Sequence, residues 1–246
     1  MKSIDLNADL GEGGTQDEAL MAVVSSANIA CGGHAGDQDS MLTAVALAQA
    51  YDVAIGAHPG YEDPINFGRN NTSLSPADVS ELVKRQIERL AEITPEIHHV
   101  KPHGALYHQA NNHPDLAKAL IIGIQTILPN TLLYAPPHGE LSKATASANM
   151  GICHEGFIDR GYQADGQLIP RDQIGALIEI TETAVHQALE MVQHQQVTHQ
   201  SNGAITMPVN TLCVHGDSPV AVQTLIAVRR ALENIGMQIK APSTGV

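Results

Sequence analysis

The chain has 246 residues, 43% of them hydrophobic, enough apolar mass for one sizeable core. With two Phe and no Trp, that core must be aliphatic and Ala-rich. A net charge of −13 argues against nucleic acid or an anionic membrane as partner, since both need clustered Lys and Arg.

The first β-prone run, 3–8, leads to a helix-like stretch at 16–24. Further pairs follow: 26–31 with 38–51, 53–57 with 76–94, 98–102 with 113–128, and 131–135 with 138–149. The last two are 152–157 with 172–196, and 210–214 with 219–235. Proline after Ser75 and after His113 marks a helix start. Across 172–196, Ile174, Leu177, Ile178, Val185, Ala188, Leu189 and Val192 recur at helical steps and make one apolar stripe. Alternating β and α units predict an α/β fold, a barrel-like parallel (β/α) sheet of about seven strands covered by helices. A doubly wound open sheet is the rival. No linker or composition break is visible, so a single domain over 1–246 is expected, with a loose tail at 241–246. No basic segment leads into an apolar run, and no apolar stretch is long enough to span a membrane, which points to a cytoplasmic protein. The cysteines, Cys31, Cys153 and Cys213, fall in strand-like runs and read as buried thiols.

Chemistry-bearing residues gather where predicted strands end. They are Asn7, Asp9 and Glu12, then Asn28 and His34, then His58, then Lys101 and His103, then Glu155 and Asp159, and last His215 and Asp217. Strand C-termini of a parallel barrel meet on one rim, so these residues are expected around one cavity. A single His–Gly pair at a strand end is ordinarily a hydrogen-bonded turn; four such pairs on four strands favour a shared site. The long loops 59–75 and 159–171 carry Arg69, Arg160 and Arg171 and are expected to cover it.

Three chemistries fit. A divalent metal held by Asp9, His34, His58 and His103 would activate water, although no local ligand spacing such as His-Glu-x-x-His is present. Asp9 or Asp217 would serve as general base with His103 or Lys101 as acid and anion anchor. Cys31 lies near His34 in sequence, but a packed thiol is the better reading. No phosphate loop of the Gly-x-x-x-x-Gly-Lys-Ser/Thr kind occurs; the turn around Gly11 and Gly13 is a weak anion cradle.

Several segments resemble the LamB/YcsF family in order along nearly the whole chain. They include Asp5-Leu6-Asn7-Ala8-Asp9-Leu10-Gly11-Glu12, Asn28-Ile29-Ala30-Cys31-Gly32-Gly33-His34 and Gly56-Ala57-His58-Pro59-Gly60. Lys101-Pro102-His103-Gly104, Glu155-Gly156-Phe157-Ile158-Asp159-Arg160 and Cys213-Val214-His215-Gly216-Asp217 complete the set. The resemblance implies a glycoside hydrolase/deacetylase-like barrel. It also implies ATP-dependent hydrolysis of 5-oxoproline to L-glutamate, with ADP and phosphate formed and Mg accompanying the nucleotide, in company with two further subunits, B and C. On that reading Lys101, Arg69, Arg160 and Arg171 supply cationic roles. Asn7, Asn28 and His103 donate hydrogen bonds, Asp9 or Asp217 is the base, and Gly11, Glu12, His34, His58, Glu155 and His215 contact substrate or nucleotide. Two other classes stay open: a metal-dependent deacetylase or hydrolase of a carbohydrate or other amide, and a non-catalytic substrate-binding component. The sequence leaves self-association into a homo-oligomer undecided.

Overall fold

The computed structural model describes residues 2–216 and 218–243. Its first strand, β1 (Ser3–Leu10), alternates Asp5, Asn7 and Asp9 with Ile4, Leu6, Ala8 and Leu10, and every one of these residues is buried. Successive strand residues face opposite sides. The apolar set therefore meets the helix layer and the polar set faces the lumen.

Around β1 run β2 (Ser26–Ala30), β3 (Ala54–His58), β4 (His99–Val100), β5 (Leu132–Ala135) and β6 (Gly151–Phe157). After a small antiparallel hairpin, β7 (Gln196–Thr198) and β8 (Ala204–Thr206), comes β9 (Thr211–Val214). The strands β1-β2-β3-β4-β5-β6-β9 pair in parallel, and β9 returns to β1 with Asn7 opposite Cys213. That closes a seven-stranded barrel. A last short strand, β10 (Gln238–Ile239), pairs with the start of β1 outside the ring.

Helices α1 (Asp17–Met21), α2 (Gln38–Ala50), α3 (Pro76–Ala91), α4 (Gly104–Asn112) and α5 (Pro114–Ile127) cover one stretch of the barrel, and α6 (Glu140–Ser147), α7 (Thr181–His194) and α8 (Ala221–Asn234) complete the layer. Two of them start on side-chain caps. Asp37 and Ser40 exchange bonds at the head of α2, and Ser75 accepts from the Asp78 amide ahead of Pro76 in α3. Such caps satisfy amides that a helix cannot pair internally. The buried faces of α3 (Val79, Val83, Ile87) and α5 (Ala117, Leu120, Ile124) join the main core.

Three local expectations need correction. The helix predicted over 172–196 starts only at Thr181, and Ile174 is fully exposed. The segment before it pairs elsewhere: the Ile178 amide donates to Asp159 O, the Gly161 amide donates to Ala176 O, and Gly175 takes a positive φ. Helix α4 lies where no helix is predicted, because its nine residues are too few to display a repeating apolar stripe. The β7–β8 hairpin turns at Asn202 (φ 60°) and Gly203, a turn signal flanked by strands too short to show alternation. All three cysteines are free and buried, as expected. The tail is held at Pro242, whose carbonyl accepts from His98 Nε2 at 2.7 Å; residues 244–246 lie outside the described residues. Among the described residues no helix is long and apolar enough to cross a membrane.

The lumen constrains β3 closely. His99 is buried there, stacked on Tyr134 at 3.9 Å and bonded to Asn28 Oδ1 at 2.7 Å. A Cβ at Gly56, its neighbour on β3, would fall on the His99 ring. Gly56→Ala should therefore destabilise the chain by about 1–3 kcal/mol through overpacking. Urea unfolding of the two forms measures this, and an unchanged midpoint would show that the ring has room to move.

Candidate active site

The polar face of β1 continues into a buried network. Asn28 Nδ2 donates to Asn7 Oδ1 and to Asp9 Oδ1, both at 2.8 Å. Asn7 Nδ2 donates to Thr211 Oγ1 at 2.7 Å and to Glu155 Oε1 at 3.1 Å. Lys101 enters from the end of β4. Its ammonium lies 2.9 Å from Asp9 Oδ1, 3.0 Å from Glu155 Oε1, 3.2 Å from Asn7 Oδ1 and 2.9 Å from Cys213 Sγ. Tyr107, from α4, donates to Glu155 Oε2 at 2.9 Å.

Charge and burial set the protonation of these groups. Burial pushes the Asp9 carboxyl up, but the His58 and Lys101 charges beside it reverse that and hold it well below the usual range. Burial pulls Lys101 down, while Asp9, then Cys213 and Glu155, lift it well above an ordinary lysine. Burial raises the Cys213 thiol well above its usual range, and Cys31 to about 12. Both are poor thiolate nucleophiles at neutral pH.

Beside this network stands a group of rings. His34 and His103 stack at 3.6 Å, nearly parallel, and His58 meets both edge-on. His58 Nδ1 bonds Lys101 O at 2.7 Å, and His103 Nε2 bonds Phe67 O at 2.9 Å. Glu12 Oε1 lies 3.0 Å from His34 Nε2, 3.4 Å from His103 Nδ1 and 3.7 Å from His58 Nε2. Glu12, His34, His58 and His103 thus place one potential ligand atom each within 4.8 Å of one another. Glu12 joins the three histidines, and Asp9, whose Oδ1 is engaged by Lys101 and Asn28, approaches the group through Oδ2, 3.4 Å from His58 Nε2. Gly68 (φ 63°) makes room for this packing, since a Cβ there would stand 2.6 Å from His34 Cβ.

Above the network opens a cavity of about 410 Å³. Asp9, His58, Lys101, His103 and His215 form its floor and sides, and Arg69, Arg160 and Arg171 from the two long loops reach its wall. Arg160 also ties its own loop: its Nε donates to Ala176 O at 3.0 Å and its NH2 to Ile169 O at 2.7 Å. Burial, and then Arg171, lowers its pKa to about 10. His215 Nδ1 bonds Asp159 Oδ2 at 2.9 Å.

Not every expected residue faces the cavity. Asn7 and Asn28 spend their amide hydrogens inside the network, so they orient Asp9 and Lys101. The Gly11 amide is taken by Asp17 Oδ2 at 2.8 Å, which leaves that turn with one fewer donor for an anion. Asp217 lies outside the described residues. Sequence reasoning missed Tyr107, His108 and Phe157 on the cavity wall. Tyr107 stands four residues after His103, on the same side of α4, a signal that only a recognised helix would have revealed. Burial pulls His108 down to about 4, so it enters the wall as a neutral ring.

Removing the central cation tests this account of the network. Asp9, held below its unfolded value, contributes stability that is complete above that value and is lost as pH falls through the folded one. Lys101→Met removes part of the hold and leaves burial pushing Asp9 up. The variant should lose about 3–5 kcal/mol near neutral pH, the scale of a broken buried pair. The gap between the two proteins should widen as pH rises from about 4, the carboxylate value of the unfolded chain, towards neutrality, as the variant's buried Asp9 is forced to ionise. Urea midpoints across that range are the measurement; a gap constant with pH would place the proton elsewhere.

The comparisons fit this geometry. The catalytic domain of peptidoglycan N-acetylglucosamine deacetylase from Eubacterium rectale ATCC 33656 superposes with a TM-score of 0.54 at 12% identity. That match covers 100% of this chain and 90% of the other, and it is a likeness of fold alone. The Lactam Utilization Protein from Thermus thermophilus superposes with a TM-score of 0.91 at 38% identity, covering 98% of this chain and 100% of that one. In sequence, the A subunit of 5-oxoprolinase from Methylococcus capsulatus (strain Bath) is 43% identical over 98% of this chain and 96% of its own length. The model of the LamB/YcsF family matches residues 4–245, and the chain belongs to that family.

Proposed function

We propose that the chain is the A subunit of an ATP-dependent 5-oxoprolinase, which opens 5-oxoproline to L-glutamate in the cytoplasm together with subunits B and C. The reading is carried by one juxtaposition: an ionised carboxylate and a buried ammonium on the floor of a small cavity whose wall holds arginines. The likeness to the A subunit of a 5-oxoprolinase, which extends over nearly the whole chain, supports it.

The substrate has one carboxylate and one neutral lactam. The carboxylate suits Arg69 and Arg171 at the wall, where guanidinium groups offer paired donors. The lactam then faces Asp9 and Lys101. Lys101 and the dipole at the N-terminus of α4, where Gly104 lines the cavity, favour negative charge developing on the ring oxygen. Asp9 Oδ2, the oxygen that Lys101 does not claim, is the acceptor for a proton from attacking water. A carboxylate held well below the usual range is a weak base. It suffices only against an activated electrophile. Phosphorylation of the lactam oxygen by ATP, with Mg²⁺ accompanying the nucleotide, would make the ring carbon such an electrophile. Water adds, the ring nitrogen leaves with a proton to give an acyl phosphate, and a second water hydrolyses that acyl phosphate to L-glutamate and phosphate.

No phosphate loop is present, and the Gly11 amide is already engaged, which favours activation by groups that the partner subunits supply. The isolated chain should therefore release little glutamate from 5-oxoproline and ATP, and addition of B and C should restore turnover. Full ATP-coupled turnover by the chain alone would overturn the division of labour.

Asp9→Asn keeps the shape and removes the charge. In the three-subunit assay it should lower turnover by about 10²–10⁴-fold. Circular dichroism checks that the fold persists. Turnover close to that of the wild type would make Asp9 structural.

A further inference from the structure

The ring group beside the cavity has a donor arrangement that the ring-opening reading does not use. His58 Nδ1 faces the Lys101 carbonyl and His103 Nε2 faces the Phe67 carbonyl. A carbonyl oxygen only accepts, so each of these nitrogens carries its ring's proton. With both rings neutral, the opposite nitrogens, His58 Nε2 and His103 Nδ1, present lone pairs to each other at 2.9 Å; a proton on His58 Nε2, whose charge lowers Asp9, is one occupant of that gap and a metal ion is the other. Two facing lone pairs need a positive centre between or beside them. Backbone acceptors that fix the outer N–H of a ring are the usual support of a metal-bound imidazole.

We propose that His58 Nε2, His103 Nδ1 and the Glu12 carboxylate bind one divalent ion of the zinc class, with His34 as the residue that positions Glu12. Ligand atoms 2.0–2.1 Å from a tetrahedral ion stand about 3.3 Å apart. The three separations here are 2.9, 3.4 and 3.7 Å, so the ion fits with small adjustments of the side chains. Two imidazoles and one carboxylate suit zinc-class ions, whereas magnesium and calcium prefer all-oxygen sets.

His34 differs from the other two rings. Its Nδ1 is buried and has no hydrogen-bond partner, and a proton there would be left unpaired. The proton therefore sits on Nε2 and is donated to Glu12 Oε1 at 3.0 Å. The fourth position of the ion is left towards Asp9 Oδ2, which lies 3.4 Å from His58 Nε2 on the cavity side. An ion with three protein ligands and an open position polarises a carbonyl or water entering there.

The test uses the full-length chain, stripped with chelator and dialysed. Titration with cobalt(II), followed by visible absorption, should show one equivalent bound with the intense bands of a tetrahedral site. Zinc should load to the same stoichiometry by elemental analysis. Glu12→Gln and His103→Gln should each weaken cobalt binding by at least about 100-fold, and His34→Gln by about 10–100-fold. His194→Gln, on α7 away from the cavity, should leave it unchanged. X-ray absorption of the zinc-loaded wild type requires no variant and should count two imidazoles. Absence of stoichiometric binding, a spectrum with fewer than two imidazoles, or affinity that His103→Gln leaves intact would each overturn the site. The last would assign the ion to surface histidines. The readout needs neither substrate, ATP nor partner subunits, so its result is independent of the ring-opening reading.

Discussion

The centre of this molecule is organised by one buried ammonium. Lys101 is almost wholly withdrawn from water, and a charge so placed is tolerated only when its partners surround it. Four atoms do so, from Asp9 and Asn7 on β1, Glu155 on β6 and Cys213 on β9. These three strands are neighbours at the point where the barrel closes. Meeting the needs of one cation therefore ties the closure of the sheet to the geometry of the cavity floor. Replacing such a group with hydrocarbon is often tolerated energetically when all partners change together, whereas removing one partner alone is costly. The network is better understood as a device that fixes positions than as a source of net stability.

Floor and wall divide their tasks. The floor side chains sit on strands or just beyond their ends, and many of the network's hydrogen bonds run between side chains of the lumen. The wall comes from loops, with Arg160 acting as an internal tie for one of them. The chain as a whole carries a charge of −13, yet three of its arginines, Arg69, Arg160 and Arg171, meet at the wall of this cavity. An anion approaching the molecule is repelled by most of the surface and is held favourably only at the mouth.

Much of this was legible in the sequence. The alternation of Asp5, Asn7 and Asp9 on a strand with apolar partners already indicates a polar lumen, because no water-facing strand of a helix-covered barrel would need it. Polar residues gather at predicted strand ends, and since parallel strands must all end on the same rim, a polar rim was legible there; which of them face the cavity, as Asp9 and Lys101 do and Asn7 and Asn28 do not, was not. What could not be read were pairings set by distant parts of the chain. Glu12 stands beside His34 and His103, while Lys101, far along the sequence, holds one oxygen of Asp9 and leaves the other beside His58. His99 falls in the predicted run 98–102 with no sign of which way it points, and it sits in the lumen because the small Gly56 leaves room for a ring. Ile174 and Leu177 fit a helical stripe by spacing alone, but the chain around Gly175 is drawn towards Asp159 and Gly161. Periodicity records which residues could share a face, and backbone pairing decides whether that face exists.

The pairing of β1 has a consequence for how the chain is made. Of its three neighbours, β2 follows closely, but β9 and β10 lie more than 200 residues later (Asp5 opposite Thr211, Ser3 opposite Gln238). During synthesis one edge of β1 stays open until nearly the whole chain has left the ribosome. Unpaired edges on nascent chains invite sticking to other strands. Here the waiting strand carries Asp5, Asn7 and Asp9 on alternate positions, and charged or amide side chains remain well hydrated until Lys101 and Thr211 arrive to receive them. The residues that organise the finished site would thus also protect the nascent chain before the barrel can close.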